Sequence, residues 1–215
     1  MKNEERILSA ALAVVKEHTI SGTRMHIIAE KAGMVQSNLH YYFKSKRDIM
    51  YALQKKVLEK CLELRERYRN NMESDTLENE LDVFISQKKD FIIKYREYDY
   101  AEMDFWVQGR IDEETRLRFA ESFSGWRTEI KMMLEKHAHN LSDESKKYLP
   151  YMIVSFLEGA TIQYLIDENL FNLDNYFEFG KKIILKSIKE ESGVDNWDGV
   201  YVDTNHQVKQ SGYVK

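Results

Sequence analysis

The fold of this chain is decided by residues 23–50, which read TRMHIIAEKAGMVQSNLHYYFKSKRDIM. Thr23 is a candidate N-cap for a first short helix, and Gly33 stands where a left-handed cap would end it. The apolar face of that helix repeats at three- and four-residue spacing, at Met25, Ile28, Ala29 and Ala32. The stretch therefore predicts two short helices joined by a tight turn, with a third helix following.

The second short helix predicts a buried side and a polar side. Leu39 and Phe43 are four residues apart and share one face, which we expect to be buried. The remaining positions carry hydrogen-bond donors and acceptors, at Gln36, Ser37, Asn38, His40, Tyr41 and Tyr42. A polar face this dense on so short a helix favours a helix-turn-helix that binds nucleic acid.

Three segments in order, over roughly residues 4–52, resemble the TetR family of one-component regulators. They are Ile7-Leu8-x-Ala10-Ala11, Ile28-Ala29-x-x-Ala32-Gly33 and Leu39-His40-Tyr41-Tyr42-Phe43-Lys44-Ser45-Lys46. Two positions depart from the family pattern. Val35 stands where the family usually has a capping Ser or Thr, and His40 stands where it usually has Tyr.

Residue chemistry, supported by the resemblance, assigns two sets of DNA contacts. The predicted phosphate contacts are Thr23, Arg24, His40, Tyr42 and Lys46. The predicted base contacts are His26, Gln36, Ser37, Asn38 and Tyr41. The alternatives are that Asn38 caps its helix locally and that Tyr41 packs on the first helix of the pair.

Composition predicts an all-α chain. Apolar residues make up 43% and charged residues 32%, and a single proline among 215 residues leaves long helices with few interruptions. We expect a helix-turn-helix domain at 1–50, a larger helical domain for effector binding and dimerisation at 51–192, and a polar tail at 193–215.

Charge and cysteine content agree with a DNA-binding protein of the cytoplasm. Residues 1–50 hold eight Lys and Arg against five Asp and Glu, or +3, which leaves −7 for the rest of a chain whose net charge is −4. The positive end coincides with the helix-turn-helix. The single Cys61 excludes an intrachain disulfide, and no N-terminal apolar run predicts secretion or a membrane partner.

Six more helices are predicted from apolar spacing and end signals. We expect them at 47–68, 77–95, 100–107 and 113–137, then one capped by Ser142, and a last one at 175–191. Pro150 should kink or restart the helix after Ser142. Asp174 is a possible cap for the last helix, and Gly193 is its stop.

The last two helices offer a dimerisation surface for a second copy of the chain. The candidate interface residues are Ile153, Phe156, Leu157, Ala160, Tyr164, Phe177, Ile184 and Ile188. Gly159 and Ala160 would permit close helix approach, although the same stripes also suit a simple core. The resemblance implies a four-helix dimer interface, and an isologous dimer implies a palindromic operator with half-sites about 34–36 Å apart.

An aromatic-rich stretch at 91–126 predicts a cavity for a small-molecule effector of unknown identity. The candidate lining residues are Met103, Trp106, Phe123, Trp126 and Tyr151, with Asp104 or Gln108 as polar anchors. The alternative is that these aromatic residues form ordinary core.

The predicted function is a homodimeric repressor that leaves a palindromic operator when the effector binds. An adaptor or nucleoid-associated protein of the same fold with weak sequence preference is the alternative. A ligand carrier that binds no DNA is a third class. The sequence contains no phosphate loop, nucleophile elbow or zinc spacing, so we expect no enzyme, no cofactor and no metal.

Overall fold

A computed structural model describes residues 2–192 of the chain. This range contains nine α-helices and no β-strand, which confirms the all-α prediction. The helices are α1 Asn3–Gly22, α2 Met25–Lys31, α3 Gln36–Tyr42, α4 Lys46–Asn70, α5 Leu77–Lys94, α6 Arg96–Gln108, α7 Glu113–His137, α8 Asp143–Ile166 and α9 Leu173–Ser192. The predicted tail at 193–215, with Gly193 as a helix stop, lies outside the described residues.

The first three helices form a small unit, here called the head. Gly33 has a φ of 64°, the left-handed conformation that ends α2 and starts the turn into α3. The predicted apolar face of α2 packs inward, since Ile28 and Ala29 are buried. Leu39 and Phe43 are buried on the inner side of α3. The helix-turn-helix thus forms as its apolar spacing predicts.

The end of α1 differs from the prediction. Thr19 has a φ of 60°, so α1 is kinked one turn before Thr23. Thr23 is fully buried, and its hydroxyl donates to the Thr19 carbonyl at 2.7 Å. The N-cap of α2 is Arg24, which makes no side-chain cap bond, so the assignment of Thr23 to that position was wrong.

Helix α4 joins the head to the remaining helices, here called the body (α5–α9). It begins with a capping box in which Ser45 accepts from the Asp48 amide and Asp48 accepts from the Ser45 amide. One buried core runs from α1 through α4 and continues to Phe105 and Phe119 in the body. The division at residue 50 falls inside α4 and stays a prediction.

Three features of the body helices depart from expectation, two helix starts and the region around Pro150. Helix α6 begins at Arg96, four residues early, because Tyr95 closes α5 and its carbonyl accepts from the Tyr98 and Asp99 amides. Helix α8 does not restart at Pro150. Buried packing on either side of the proline holds the helix despite the lost backbone donor.

The third departure is the start of α9. The Asn172 side chain accepts from the Asn175 amide at 2.9 Å and so caps the helix. Asp174 already lies inside α9 and pairs with Lys89 instead. The assignment of Asp174 as the cap was therefore wrong.

The contact between α8 and α9 belongs to the body's own core. A Cβ added to Gly180 would lie 2.1 Å from a ring carbon of Phe156, so Gly180 is the glycine that permits close approach here. At Gly159 an added Cβ would meet no atom closer than 3.8 Å. The close approach therefore depends on α9 rather than on Gly159 in α8.

Most of the predicted interface stripe is buried within the chain itself. The buried members are Ile153, Leu157, Ala160, Phe177 and Ile188. Phe156, Tyr164 and Ile184 are half-buried and pack on the same core. These residues fill the core between α8, α9 and the rest of the body, which was the other interpretation of the stripe, and the five buried ones cannot form an exposed dimer face.

Within the described residues, α8 is long and apolar enough to cross a membrane, judged by length and composition alone. It packs against α5, α7 and α9. A core helix of this kind meets the same criterion, so we draw no membrane assignment from it.

Candidate nucleic-acid interface and ligand cleft

The outer face of α3 presents four polar side chains to solvent. Gln36, Ser37, Asn38 and Tyr41 are exposed around the buried Leu39. Tyr41 is 75% exposed, and its ring meets Tyr42 edge-on rather than packing on α2. No hydrogen bond ties the Asn38 side chain to its own helix among the described residues. The predicted base contacts on α3 therefore share one accessible face.

Helix α3 begins without a side-chain cap. Val35 occupies the N-cap position, is 69% exposed and accepts from the Asn38 amide only through its backbone carbonyl. The structure therefore lacks the side-chain cap that the family pattern usually supplies at this position. It leaves the first turn of α3 with unsatisfied amide donors.

The two predicted phosphate contacts on α3 are half-buried. His40 Nε2 lies 3.4 Å from Gln36 Nε2, and the Tyr42 hydroxyl accepts from Asn3 Nδ2 at 2.7 Å. The second contact ties the start of α1 to the end of α3. Both side chains border the exposed face without lying at its centre.

Two cations lie close to each other at the edge of the head. Burial, and then the positive charge of Arg24, lower the pKa of Lys46. Lys46 is the first residue of α4, and the capping box engages the amides of Ser45 and Asp48 only. Paired cations and free helix N-terminal amides are the features that bind phosphate.

Of the two remaining predicted DNA contacts in the head, one is exposed and the other is buried. His26 on α2 is exposed and available. Thr23 is not, because its side chain is buried and its hydroxyl is already bonded, so its assignment as a phosphate contact does not fit this conformation.

Lys44 was missed by the sequence argument. It is exposed between α3 and α4, and its Nζ donates to the His40 carbonyl at 3.3 Å. Its charge next to the polar helix could have indicated it.

Two residues that were predicted to anchor an effector form hydrogen bonds to the end of α1. Asp104 accepts from the Ile20 amide, which the kink at Thr19 leaves free, and burial raises the pKa of Asp104. Gln108 donates to the Ser21 hydroxyl at 3.0 Å. Both side chains thus connect α6 to the corner between α1 and α2, and their role as polar anchors of an effector cavity stays a prediction.

A cleft of about 720 Å³ opens between α6, α7 and α8. Three of the predicted lining residues, Trp106, Phe123 and Tyr151, do line it, but Met103 does not. The sequence argument missed the other members, which are Phe105, Gly109, Arg110, Arg116, Phe119, Ala120, Arg127, Val154, Ser155 and Glu158. The volume and aromatic wall suit a small organic molecule.

Trp126 lines a second cavity of about 390 Å³ instead, which shares Phe123 and Glu158 with the cleft. Arg65 also borders it, with its guanidinium 4.9 Å from the Trp126 ring centroid. Arg65 Nε and Trp126 Nε1 are buried donors with no acceptor among the described residues.

A buried ion cluster lies behind both cavities. Lys88 Nζ is 2.6 Å from Glu158, 3.0 Å from Asp99 and 3.7 Å from Glu102. Burial lowers the pKa of Lys88, but the three carboxylates outweigh it and raise that pKa well above its usual range. Burial and the Glu158 charge raise the pKa of Glu102 to about 8, so Glu102 carries a proton at neutral pH.

One group of three potential metal ligands exists among residues 2–192, at Asp75, Glu80 and His137. Lys136 Nζ already lies 2.9 Å from Glu80 and also pairs with Asp75. His137 Nε2 is 2.9 Å from the same Glu80 oxygen. The group is therefore an ion-pair network, and we assign no metal to it.

Comparison with known proteins finds sequence relatives of the head. Residues 7–53 match the family described as "Bacterial regulatory proteins, tetR family". The HTH-type transcriptional regulator RutR of Escherichia coli (strain K12) is 41% identical over 56 residues, which is 26% of each protein. The chain thus matches about a quarter of that relative's length.

Solved structures share the overall fold at low identity. A putative transcriptional regulator from Saccharomonospora viridis, in complex with choline, has a TM-score of 0.72 and 16% identity, covering 86% of this chain and 95% of that one. FadR from Bacillus subtilis, in complex with stearoyl-CoA, has a TM-score of 0.70 and 18% identity, covering 84% and 96%. Residues 7–53 of this chain thus form a domain that matches the tetR family of bacterial regulatory proteins.

Proposed function

We propose that the chain is a homodimeric transcriptional repressor. Each subunit would insert α3 into the major groove of a palindromic operator, and a small-molecule effector would release the complex. The observation that carries this proposal is the exposed polar face of α3, Gln36, Ser37, Asn38 and Tyr41, in a domain that matches the tetR family. Such a regulator acts in the cytoplasm, on the nucleoid.

The chemistry of the head supports both kinds of DNA contact. Gln36 and Asn38 suit bidentate hydrogen bonds to adenine, and Ser37, Tyr41 and His26 suit other base edges. Arg24 and Lys46 would hold phosphates on one side, with His40 and Tyr42 donating from the border of α3. We add Lys44 to the phosphate set because it is exposed beside them.

A second copy of the chain would cover the outer faces of α8 and α9. Apolar side chains are exposed there in groups at three- and four-residue spacing, which are Tyr148 and Met152, then Ile162, Leu165 and Ile166 on α8, and Phe179 and Ile183 on α9. These residues replace the buried stripe of the sequence prediction. An apolar face of this extent is typical of an interface.

The cleft between α6, α7 and α8 is the proposed effector site. Solved proteins of this fold hold ligands as different as choline and stearoyl-CoA. Helix α6 contributes Trp106 to the cleft and, through Asp104 and Gln108, contacts the end of α1. A ligand that shifts α6 would therefore move the head. If it binds more tightly to the conformation that does not fit DNA, it would release the operator.

The test is a selection of random duplexes on the purified chain at near-physiological salt. We expect a palindrome with half-site centres about 34–36 Å apart, preferred about 10³-fold over random DNA. Gln36→Ala and Asn38→Ala should each weaken palindrome binding by about 1–3 kcal/mol and leave random-DNA binding nearly unchanged. Asn169→Ala, in the exposed turn after α8, is the control and should change neither.

The same selection with Ile162→Glu tests the dimer, because this change places charge on the exposed face of α8. We expect a monomer in sedimentation and recovery of single half-sites. Salt-sensitive binding without a motif would favour the adaptor, and absence of DNA binding would favour the ligand carrier.

A further inference from the structure

The cleft between α6, α7 and α8 carries positive charge at its walls. Three arginines line it, Arg110 in the turn after α6, and Arg116 and Arg127 on α7. Its single carboxylate is Glu158, which is buried and held by Lys88 at 2.6 Å. The charge that the cleft offers to a ligand is therefore positive.

Two of these arginines lack a carboxylate partner. Arg116 pairs with Glu113 at 3.0 Å. Among residues 2–192, no acidic group forms an ion pair with Arg110 or Arg127, and the Arg127 guanidinium lies 4.6 Å from the Tyr151 ring centroid. Guanidinium groups free of carboxylates are well suited to bind a carboxylate or phosphate by charge-assisted hydrogen bonds.

A third hydrogen-bond donor in the wall of the cleft, besides the two arginines, also lacks an acceptor within the described residues. Trp106 lines the cleft, and its buried Nε1 has no acceptor in the described part of the chain. A buried N–H without an acceptor is costly, so a ligand oxygen at this position would bind favourably.

The remainder of the wall is apolar and long. Phe105, Phe119, Phe123 and Val154 supply most of it. The α7 residues that line the cleft, from Arg116 to Arg127, span about 16 Å at 1.5 Å per residue. A wall of this length suits an extended chain or a fused ring system better than a compact polar molecule.

We infer that the cleft binds an amphipathic organic anion, with an apolar chain or ring system along α7 and a carboxylate or phosphate held by Arg110 and Arg127. The aromatic wall alone would also suit a cation. The buried carboxylate is already neutralised by Lys88, however, whereas the two arginines are not paired, and this difference favours the anion. The inference rests on the proposed function only in taking this cleft as the effector site.

The test is isothermal titration of the full chain, without DNA, with four probes of one chain length below their micelle concentrations. The probes are dodecanoate, dodecyl phosphate, dodecanol and dodecyltrimethylammonium. We expect at least one anion to bind about tenfold or more tightly than the alcohol and the ammonium. The tighter of the two anions identifies the head group.

Arg127→Gln and Arg110→Gln should each weaken the preferred anion about tenfold and leave dodecanol unchanged. Lys131→Gln is the matched control, since it removes one positive charge from an exposed position one turn further along α7 and should change affinity less than twofold. Equal weakening by Lys131→Gln would overturn the assignment of Arg127.

Tightest binding of dodecyltrimethylammonium, equal binding of dodecanol, or no binding of either anion would overturn the inference. These outcomes leave the operator selection untouched, because that selection is performed without an effector. Conversely, loss of operator specificity would not alter the titration.

Discussion

The head and the body are both helical, but they use charge in opposite ways. The head keeps its polar side chains outside, with Gln36 and Asn38 exposed around an apolar core. The body buries charge, since Lys88 is surrounded by Asp99, Glu102 and Glu158. The turn at Gly33 and the four-residue spacing of Leu39 and Phe43 are set within a few residues, whereas Lys88 and Glu158 are separated by 70 positions. A surface made for binding is therefore encoded locally, and the body's interior is encoded by distant pairs.

The largest expected effect comes from removing the body's buried cation. Lys88→Met leaves three carboxyl groups without their positive partner, and we expect a loss of about 3–5 kcal/mol in the free energy of unfolding. Lys89→Met is the matched control on the same helix, where the side chain is 45% exposed. It should cost less than about 1 kcal/mol. Urea unfolding followed by circular dichroism measures both.

Equal losses for the two lysine variants would remove the contrast between head and body, because Lys88 would then act like a surface charge. If Lys88→Met is too unstable to be measured at neutral pH, its unfolding is measured at pH 5. Burial raises the pKa of Glu102 and Glu158, so their protonation should there restore part of the lost stability.

The same contrast explains what the sequence could predict. The turn at Gly33, the buried Leu39 and the exposed α3 face follow from short-range spacing and local caps, and all three are found. Thr23 was misassigned because α1 is kinked at Thr19, and the Ile20 amide beside the kink donates to Asp104, 84 positions away along the chain. No local signal reports such a contact.

Site prediction in the body was weaker for the same reason. Trp106, Phe123 and Tyr151 do meet in the cleft, but the spacing that placed Ile153 and Leu157 on an interface only identified an apolar helix face. Whether such a face meets another helix of the same chain or a second copy depends on how α8 packs. The exposed Ile162 on the same helix shows that both faces of α8 are apolar.

A second prediction uses pH to sharpen the contrast. The pKa of Glu102 is raised to about 8, so the folded chain holds a proton that the unfolded chain releases at lower pH. The contribution of protonated Glu102 to stability is fully present below the pKa that Glu102 has in the unfolded chain, and it is lost as pH rises through about 8. Between pH 6 and 8 we expect wild type to lose about 2 kcal/mol relative to Glu102→Gln, which cannot ionise. Urea titrations at each pH measure the difference.

Glu135→Gln is the control for this pH series, since Glu135 is half exposed on α7 and, within residues 2–192, pairs only with Lys131. It should follow the wild-type pH dependence. A Glu102→Gln variant that loses stability in parallel with wild type would show that Glu102 is ionised in the fold.

The smallest expected effect lies in the head and concerns a local cap. Val35 holds the extended conformation of an N-cap but has no side-chain acceptor for the amides of α3. Val35→Ser supplies one, and we expect about 1 kcal/mol of local stabilisation, or about fivefold slower hydrogen exchange at the Ser37 amide without DNA. Val35→Ala also removes the branched side chain but adds no acceptor, so it should not slow exchange.

Equal slowing by serine and alanine would mean that the branched side chain, not the missing cap, limits α3. If only serine slows exchange and the unfolding free energy of the whole chain stays the same, the first turn of α3 opens independently of the core around Leu39. A surface that binds DNA would then be ordered locally, while the body depends on its buried ion cluster. The natural Val35 would in that case leave α3 to gain its full order from the operator.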